Sequence, residues 1–188
     1  AQGEDFDIYN NVVLQNIVNN TNSYGGALCV FAVDSGVAGA GVDGTKFESG
    51  ITLNGIEVSN CSAKNGAGIA VIASVVTIDG ASIHDNHGEG GEYGGGGIAL
   101  GLPAPDEASF MATANKYGGK ANVEYMTNHK WYPFGCSSLK DTDIYNNSET
   151  AGGGIYCSGI LNLTSCNIYS NTAKGGTSVY PMAQGGGI

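Results

Sequence analysis

Asp141 and Asp143, two carboxylates two residues apart, are the pair in this chain best suited to acid–base chemistry. If they share one face of a strand, they fall within the roughly 5–10 Å over which paired carboxyl groups hydrolyse a glycosidic bond. In neighbouring repeats, however, the places aligned with Asp143 hold Ser82 and Asn167, which reads as an ordinary polar position on an outer face. No cluster of histidine and basic residues accompanies the pair, and no catalytic residue is assigned. His84, Tyr145 and Tyr169 form a second set, each one position after a recurring Ile. Stacked, they make an outward ladder flanked by Asp143 and Asn167, a surface that can hold sugar rings, seat a partner protein or simply stack on itself. Asp85, Glu89 and Glu92 near Gly90-Gly91 are oxygen donors of the type calcium takes. They lack the spacing of a calcium-binding nonapeptide, so a solvated loop is the simpler reading; neither metal nor cofactor is expected.

The five cysteines contain no CxxC pair, which argues against zinc. Cys61 and Cys166 fall in repeat positions expected to be buried as inert thiols. Cys136 borders a long insertion and is a candidate disulfide partner for Cys157, although spacing alone does not give connectivity. Four sequons begin at Asn19, Asn60, Asn146 and Asn162, each a candidate N-glycan site on an exposed corner or outer strand face.

These residues are carried by a sentence that the chain repeats. A β-branched residue is followed three positions later by Asn, then by a short polar stretch, then by Gly-Gly-small-Ile or Leu. Ile17 and Asn20 lead to the tetrad at 25–28, Ile83 and Asn86 to that at 95–98, Ile144 and Asn147 to that at 152–155, and Ile168 and Asn171 to that at 185–188. Val58 and Cys61, with Cys in the Asn slot, lead to the tetrad at 66–69. A unit of about 20–25 residues is too short for a helical-hairpin repeat and suits one coil of a β-solenoid. Within the unit Val76, Ile78 and Ile83 alternate with polar residues, as do Leu161, Leu163 and Ile168, which is the period of a strand. Each coil is expected to carry three strands, and stacking pairs them in parallel so that the inward aliphatic residues form one column. The fold expected is an all-β parallel β-helix of about five coils. Repeated at one corner, Asn20, Asn86, Asn147 and Asn171 form an internal amide ladder, with glycine allowing close approach at the next corner.

The repeats are unevenly spaced, with insertions at about 31–47 and 102–135, both leaving the coil after the Gly-Gly-x-Ile strand. The longer one holds His129, Trp131, Tyr132 and Phe134, and a face that collects insertions is often the binding face. The segment at 6–11 nearly copies 142–147 but lies only nine residues before Ile17, too close for a full coil. The tetrad at 185–188 has no polar cap after it, so a single β-helix domain that is a piece of a longer repeat protein is expected, its ends covered by neighbouring copies or flanking coils.

Composition narrows the class. Thirty-two glycines without a triplet period exclude collagen, and 41% hydrophobic residues with few charges argue against disorder. The net charge is −10 and all seven basic residues are lysines, so nucleic acid is a poor partner, as is any strongly anionic polysaccharide without a bridging metal. No apolar run reaches the roughly 18 residues of a membrane span.

The tetrads at 25–28, 95–98, 152–155 and 185–188, with the pairs Ile17/Asn20, Ile83/Asn86, Ile144/Asn147 and Ile168/Asn171, resemble the repeats of the chlamydial polymorphic outer membrane proteins. That family is marked by a Gly-Gly-Ala-Ile type tetrad and a Phe-x-x-Asn motif, here with Ile for Phe. The resemblance implies a right-handed parallel β-helix used in adhesion and as a surface scaffold. Pectin lyases and polygalacturonases also use β-helices, but their lyase chemistry resembles an Arg or Lys base acting with calcium, and this chain has no Arg. The expected function is therefore an extracellular or cell-surface scaffold, structural or adhesive, glycosylated, part of a filamentous or surface assembly and not an enzyme. The alternatives are a carbohydrate-active enzyme and a non-catalytic glycan-binding module.

Overall fold

A computed structural model describes residues 6–9, 12–18, 24–31, 51–72, 76–91, 93–102, 136–158, 160–175 and 184–188. Among these residues there are eighteen strands and no helix, hence none long and apolar enough to cross a membrane. The first coil contributes β1 (Phe6–Tyr9), β2 (Val13–Gln15) and β3 (Leu28–Phe31). The second has β4 (Ile51–Asn54), β5 (Glu57–Ser59), β6 (Ser62–Ala63) and β7 (Ile69–Ile72). The third has β8 (Thr77–Asp79), β9 (Ser82–His84), β10 (His87–Gly88) and β11 (Ile98–Leu102). The fourth has β12 (Cys136–Lys140), β13 (Asp143–Tyr145), β14 (Ser148–Glu149) and β15 (Ile155–Cys157). The fifth has β16 (Ile160–Thr164), β17 (Asn167–Tyr169) and β18 (Thr172–Ala173).

Every strand pairs in parallel with its counterpart one coil away. The orders are β1-β4-β8-β12-β16, β2-β5-β9-β13-β17, β6-β10-β14-β18 and β3-β7-β11-β15. The chain thus winds as a β-solenoid with four sheets along its length. Among the described residues the second, third and fourth coils each carry four strands where three are expected. The additional sheet is built of two-residue strands after the Asn slot, too short to show any alternation in sequence.

Register follows from hydrophobic alternation. In β4 the burial alternates residue by residue, with Ile51 and Leu53 inside. Leu53, Ile78, Leu139 and Leu163 align in one file, and Val58, Ile83, Ile144 and Ile168 in the next. A one-residue slip would turn a whole file outward, so burial fixes the register. Each fully buried Ile or Leu contributes about 1.5–3 kcal/mol, which no single coil can realise alone. Between the second and third sheets the backbone turns through a left-handed residue in every coil: Asn16, Asn60, Asp85, Asn146 and Ser170, with φ from 53° to 58°. Asn and Asp adopt this conformation more readily than other residues with a Cβ.

The first coil departs from the sequence reading in two ways. Leu14, not Ile17, stands opposite Val58, and Val18 bridges to Ser62. Ile17 therefore fills the slot given to Asn20, and Asn19 and Asn20 lie outside the described residues. The Ile-x-x-Asn match at 17–20 was out of phase by three residues, because strand pairing rather than motif spelling sets the register. The segment 6–9 pairs with β4 in the first sheet, whereas its near-copy at 143–145 lies in the second, so the two are not equivalent places in the coil. Of the insertions at about 31–47 and 102–135, Phe31 and Leu102 instead end β3 and β11, and the rest lies outside the described residues.

Candidate functional site

The Asn slot directly follows the left-handed corner, which turns its side chain into the solenoid. Asn86 and Asn147 are fully buried. The backbone N–H and the Nδ2 of Asn86 both donate to Asn147 Oδ1, at 3.0 and 2.9 Å, and those of Asn147 both donate to Asn171 Oδ1, at 3.0 Å each. Each Nδ2 also reaches the carbonyl of the inward aliphatic residue of the preceding coil: Val58 for Asn86, Ile83 for Asn147 and Ile144 for Asn171. Cys61 extends the file through its N–H, which donates to Asn86 Oδ1 at 3.0 Å, while its buried thiol donates to Ser59 O. Burial raises the pKa of that thiol, countered in part by the backbone around it.

The amide file also explains why glycine recurs with Asn. A Cβ on Gly97 would stand 3.1 Å from Asn147 Nδ2, and one on Gly154 would stand 2.8 Å from Asn171 Nδ2. The third glycine of the block is therefore the floor on which the next coil's amide rests.

On the outer side of the second sheet, His84, Tyr145 and Tyr169 stack face to face. Their ring centroids are 4.7 and 5.1 Å apart and the planes within 6° of parallel. Both faces of Tyr145 are thus covered by its neighbours, which leaves no face on which a sugar ring can lie; Tyr169 is half exposed. His84 sits between Asp85, 2.7 Å from Nδ1, and Glu57 of the coil before, 3.5 Å from Nε2.

Asp141 and Asp143 do not share a strand face. Asp141 is a left-handed corner residue ahead of β13, with φ of 46°, and pairs with Lys140 Nζ at 3.2 Å. Lys140 also reaches Asp79 at 3.3 Å, and these two carboxylates hold its ammonium above the usual range. Asp143 lies on the outer face of β13 and accepts a 2.7 Å hydrogen bond from Asn167 Nδ2. Glu89 accepts from Ser62 Oγ across coils, Asp85 is held by His84, and Glu92 lies outside the described residues. Among the described residues no three His, Cys, Asp or Glu side chains gather as metal ligands.

Asn60 and Asn146 occupy the left-handed corner file and are exposed, as is Asn162 on the outer side of β16. Cys136 begins β12, but its side chain lies outside the described part, and with it the pairing with Cys157. Cys166 is half-buried.

One buried group escaped sequence reasoning. Glu149 is wholly buried in β14, at the position filled by Ala63, Gly88 and Ala173 in the other coils. Its Oε1 accepts from the N–H of Thr150 at 2.7 Å and of Gly90 at 3.1 Å, while Oε2 has no hydrogen-bond partner among the described residues. The signal was present: a carboxylate two residues past the Asn slot, where the other coils put Ala or Gly.

No family model matches this chain, and no curated protein and no solved structure matches it.

Proposed function

We propose that this chain is a structural and adhesive module of an extracellular or cell-surface assembly, glycosylated, its coils wound as a right-handed β-helix of the polymorphic outer membrane protein kind. Right-handed winding is the strong preference of crossovers between parallel strands in one sheet. The observation that carries the functional reading is where the polar side chains point. The Asn file, His84 with Glu57, Ser62 with Glu89, Lys140 with Asp79, His87 with Ser148 and Asn167 with Asp143 all join one coil to the next. Polar chemistry directed along the axis stiffens a rod. Three exposed sequon asparagines, Asn60, Asn146 and Asn162, support passage through a secretory route.

The fifth coil is more open than the interior ones, with Ile160 63% exposed. Electron microscopy of the native material tests the reading, with filaments or ordered surface arrays expected. Dispersed particles that cleave a polysaccharide, with turnover abolished by Asp141→Asn or Asp143→Asn, would replace it with an enzyme. Glycan binding lost on Tyr169→Ala, the half-exposed ring of the stack, without product would make the protein a sugar-binding module.

A further inference from the structure

We propose that Glu149 is a proton-linked seal between the third and fourth coils, closed when its carboxyl is neutral and weakened when it ionises. The geometry that carries this is the fit of the side chain. It enters the space above Gly88, where a Cβ would collide with its carboxyl group. There it bonds to Gly90 N of the third coil and to Thr150 N of its own. Ala63 and Gly88 on one side and Ala173 on the other fill the same file with small residues, and Glu149 is buried between them.

The unpartnered oxygen makes the proton matter. As a carboxylate, Glu149 carries charge on a buried Oε2 that has no hydrogen-bond partner among the described residues. As an acid, that oxygen becomes a hydroxyl and the buried charge is gone, while the Thr150 hydroxyl, able to donate or to accept, does not select between the two states. The charged and titratable groups on the surrounding elements do not neutralise the carboxylate by contact. His87 in β10 faces Ser148 at 3.1 Å, and Glu89 is engaged with Ser62. Lys64 follows β6. Burial raises the carboxyl above its ordinary 4.5, outweighing the hydrogen bonds from Thr150 and Gly90 and the field of Lys174, after β18, which favour ionisation.

The sign of the linkage follows. Between 4.5 and the raised folded value, the native state holds a proton that the unfolded chain has released. Stability from this group is therefore fully present below 4.5 and is lost as pH rises through the folded value, the unfolding constant growing up to about tenfold per pH unit inside that window.

Thermal and urea unfolding of the whole chain across this range, against Glu149→Gln, tests the seal. Glutamine keeps an oxygen for the two N–H groups and cannot ionise. The two proteins are expected to match in acid and to diverge as pH rises, the variant becoming the more stable. Parallel curves, or a variant less stable than wild type at neutral pH, would overturn the proposal. Carbon-13 NMR titration of the wild-type side-chain carboxyl groups, assigned through bonds, decides independently of any variant. A Glu149 carboxyl titrating well above the exposed glutamates supports the seal, and one titrating among them refutes it.

Discussion

Asn147 and Glu149 sit two residues apart on the same coil, both fully buried and both bonded to a neighbouring coil, yet they stand in opposite states. Asn147 uses its whole capacity. Its Oδ1 accepts two hydrogen bonds from Asn86, and its Nδ2 donates to Asn171 and to the Ile83 carbonyl. Glu149 fills only one oxygen and leaves the other bare. The difference arises from geometry. A primary amide has as many donors as acceptors, so identical amides one rung apart satisfy each other indefinitely. A carboxylate only accepts, and no donor stands in the Ala63, Gly88 or Ala173 positions beside it. A repeat can therefore absorb a polar side chain without penalty when every coil supplies the same one, and not when a single coil does.

The largest effect expected is that of breaking the satisfied file. Asn147→Ala strips partners from Asn86 N, Asn86 Nδ2 and the Ile83 carbonyl, all inside the solenoid. With each orphaned buried group costing about 1–3 kcal/mol, the loss should come to about 3–5 kcal/mol in urea unfolding. A loss below about 1 kcal/mol would mean that water reaches the file and that the contrast with Glu149 is false. Next comes Gly88→Ala, expected to cost about 2–3 kcal/mol because the new methyl evicts the Glu149 carboxyl from its two N–H donors. In a double-mutant cycle most of that cost should vanish in a Glu149→Ala background, since the collision goes with the carboxyl. Additive losses would show that Gly88 is required for its backbone alone.

The solenoid and its inward files were legible because coils repeat the same chemistry. Ile83, Ile144 and Ile168 announce their file by spacing, and Asn86, Asn147 and Asn171 theirs. What escaped was whatever occurs once. Glu149 departs from Ala63, Gly88 and Ala173, the small residues two places past the Asn slot in the second, third and fifth coils, and a single departure has no period of its own to read. In the first coil the motif spelling pointed to Ile17 and Asn20, while pairing of β2 with β5 put Leu14 and Ile17 in those places. Pairing sums hydrogen bonds and burial over a whole strand, so it overrides a four-residue likeness. Asp141 looked like the partner of Asp143 because two residues apart means one face within a strand. The chain turns a corner at Asp141, and that rule fails there.

A smaller effect, of opposite sign, is expected from Glu149→Gln. Above the folded pKa of Glu149 the variant should gain about 1–2 kcal/mol, the scale of one unsatisfied buried polar atom, and the gain should disappear in acid. Few buried polar substitutions stabilise, so a gain would sharpen the comparison: the same amide group that completes the Asn file would also relieve the Glu position.

Tyr145→Ala supplies the outward control, from the residue two before Asn147 on the same coil. Its ring is stacked on His84 and Tyr169, but the file is open to solvent along its edges. Removing it deletes two ring contacts worth about 0.5–1.5 kcal/mol each at most, and leaves no buried polar group behind. A loss of about 1 kcal/mol is expected in urea unfolding, well short of that for Asn147→Ala. The ranking matters more than either value. If the outer ring stack proved the costlier to break, the coils would be held together mainly from outside, and the amide file would mark the register of the solenoid without supplying its strength.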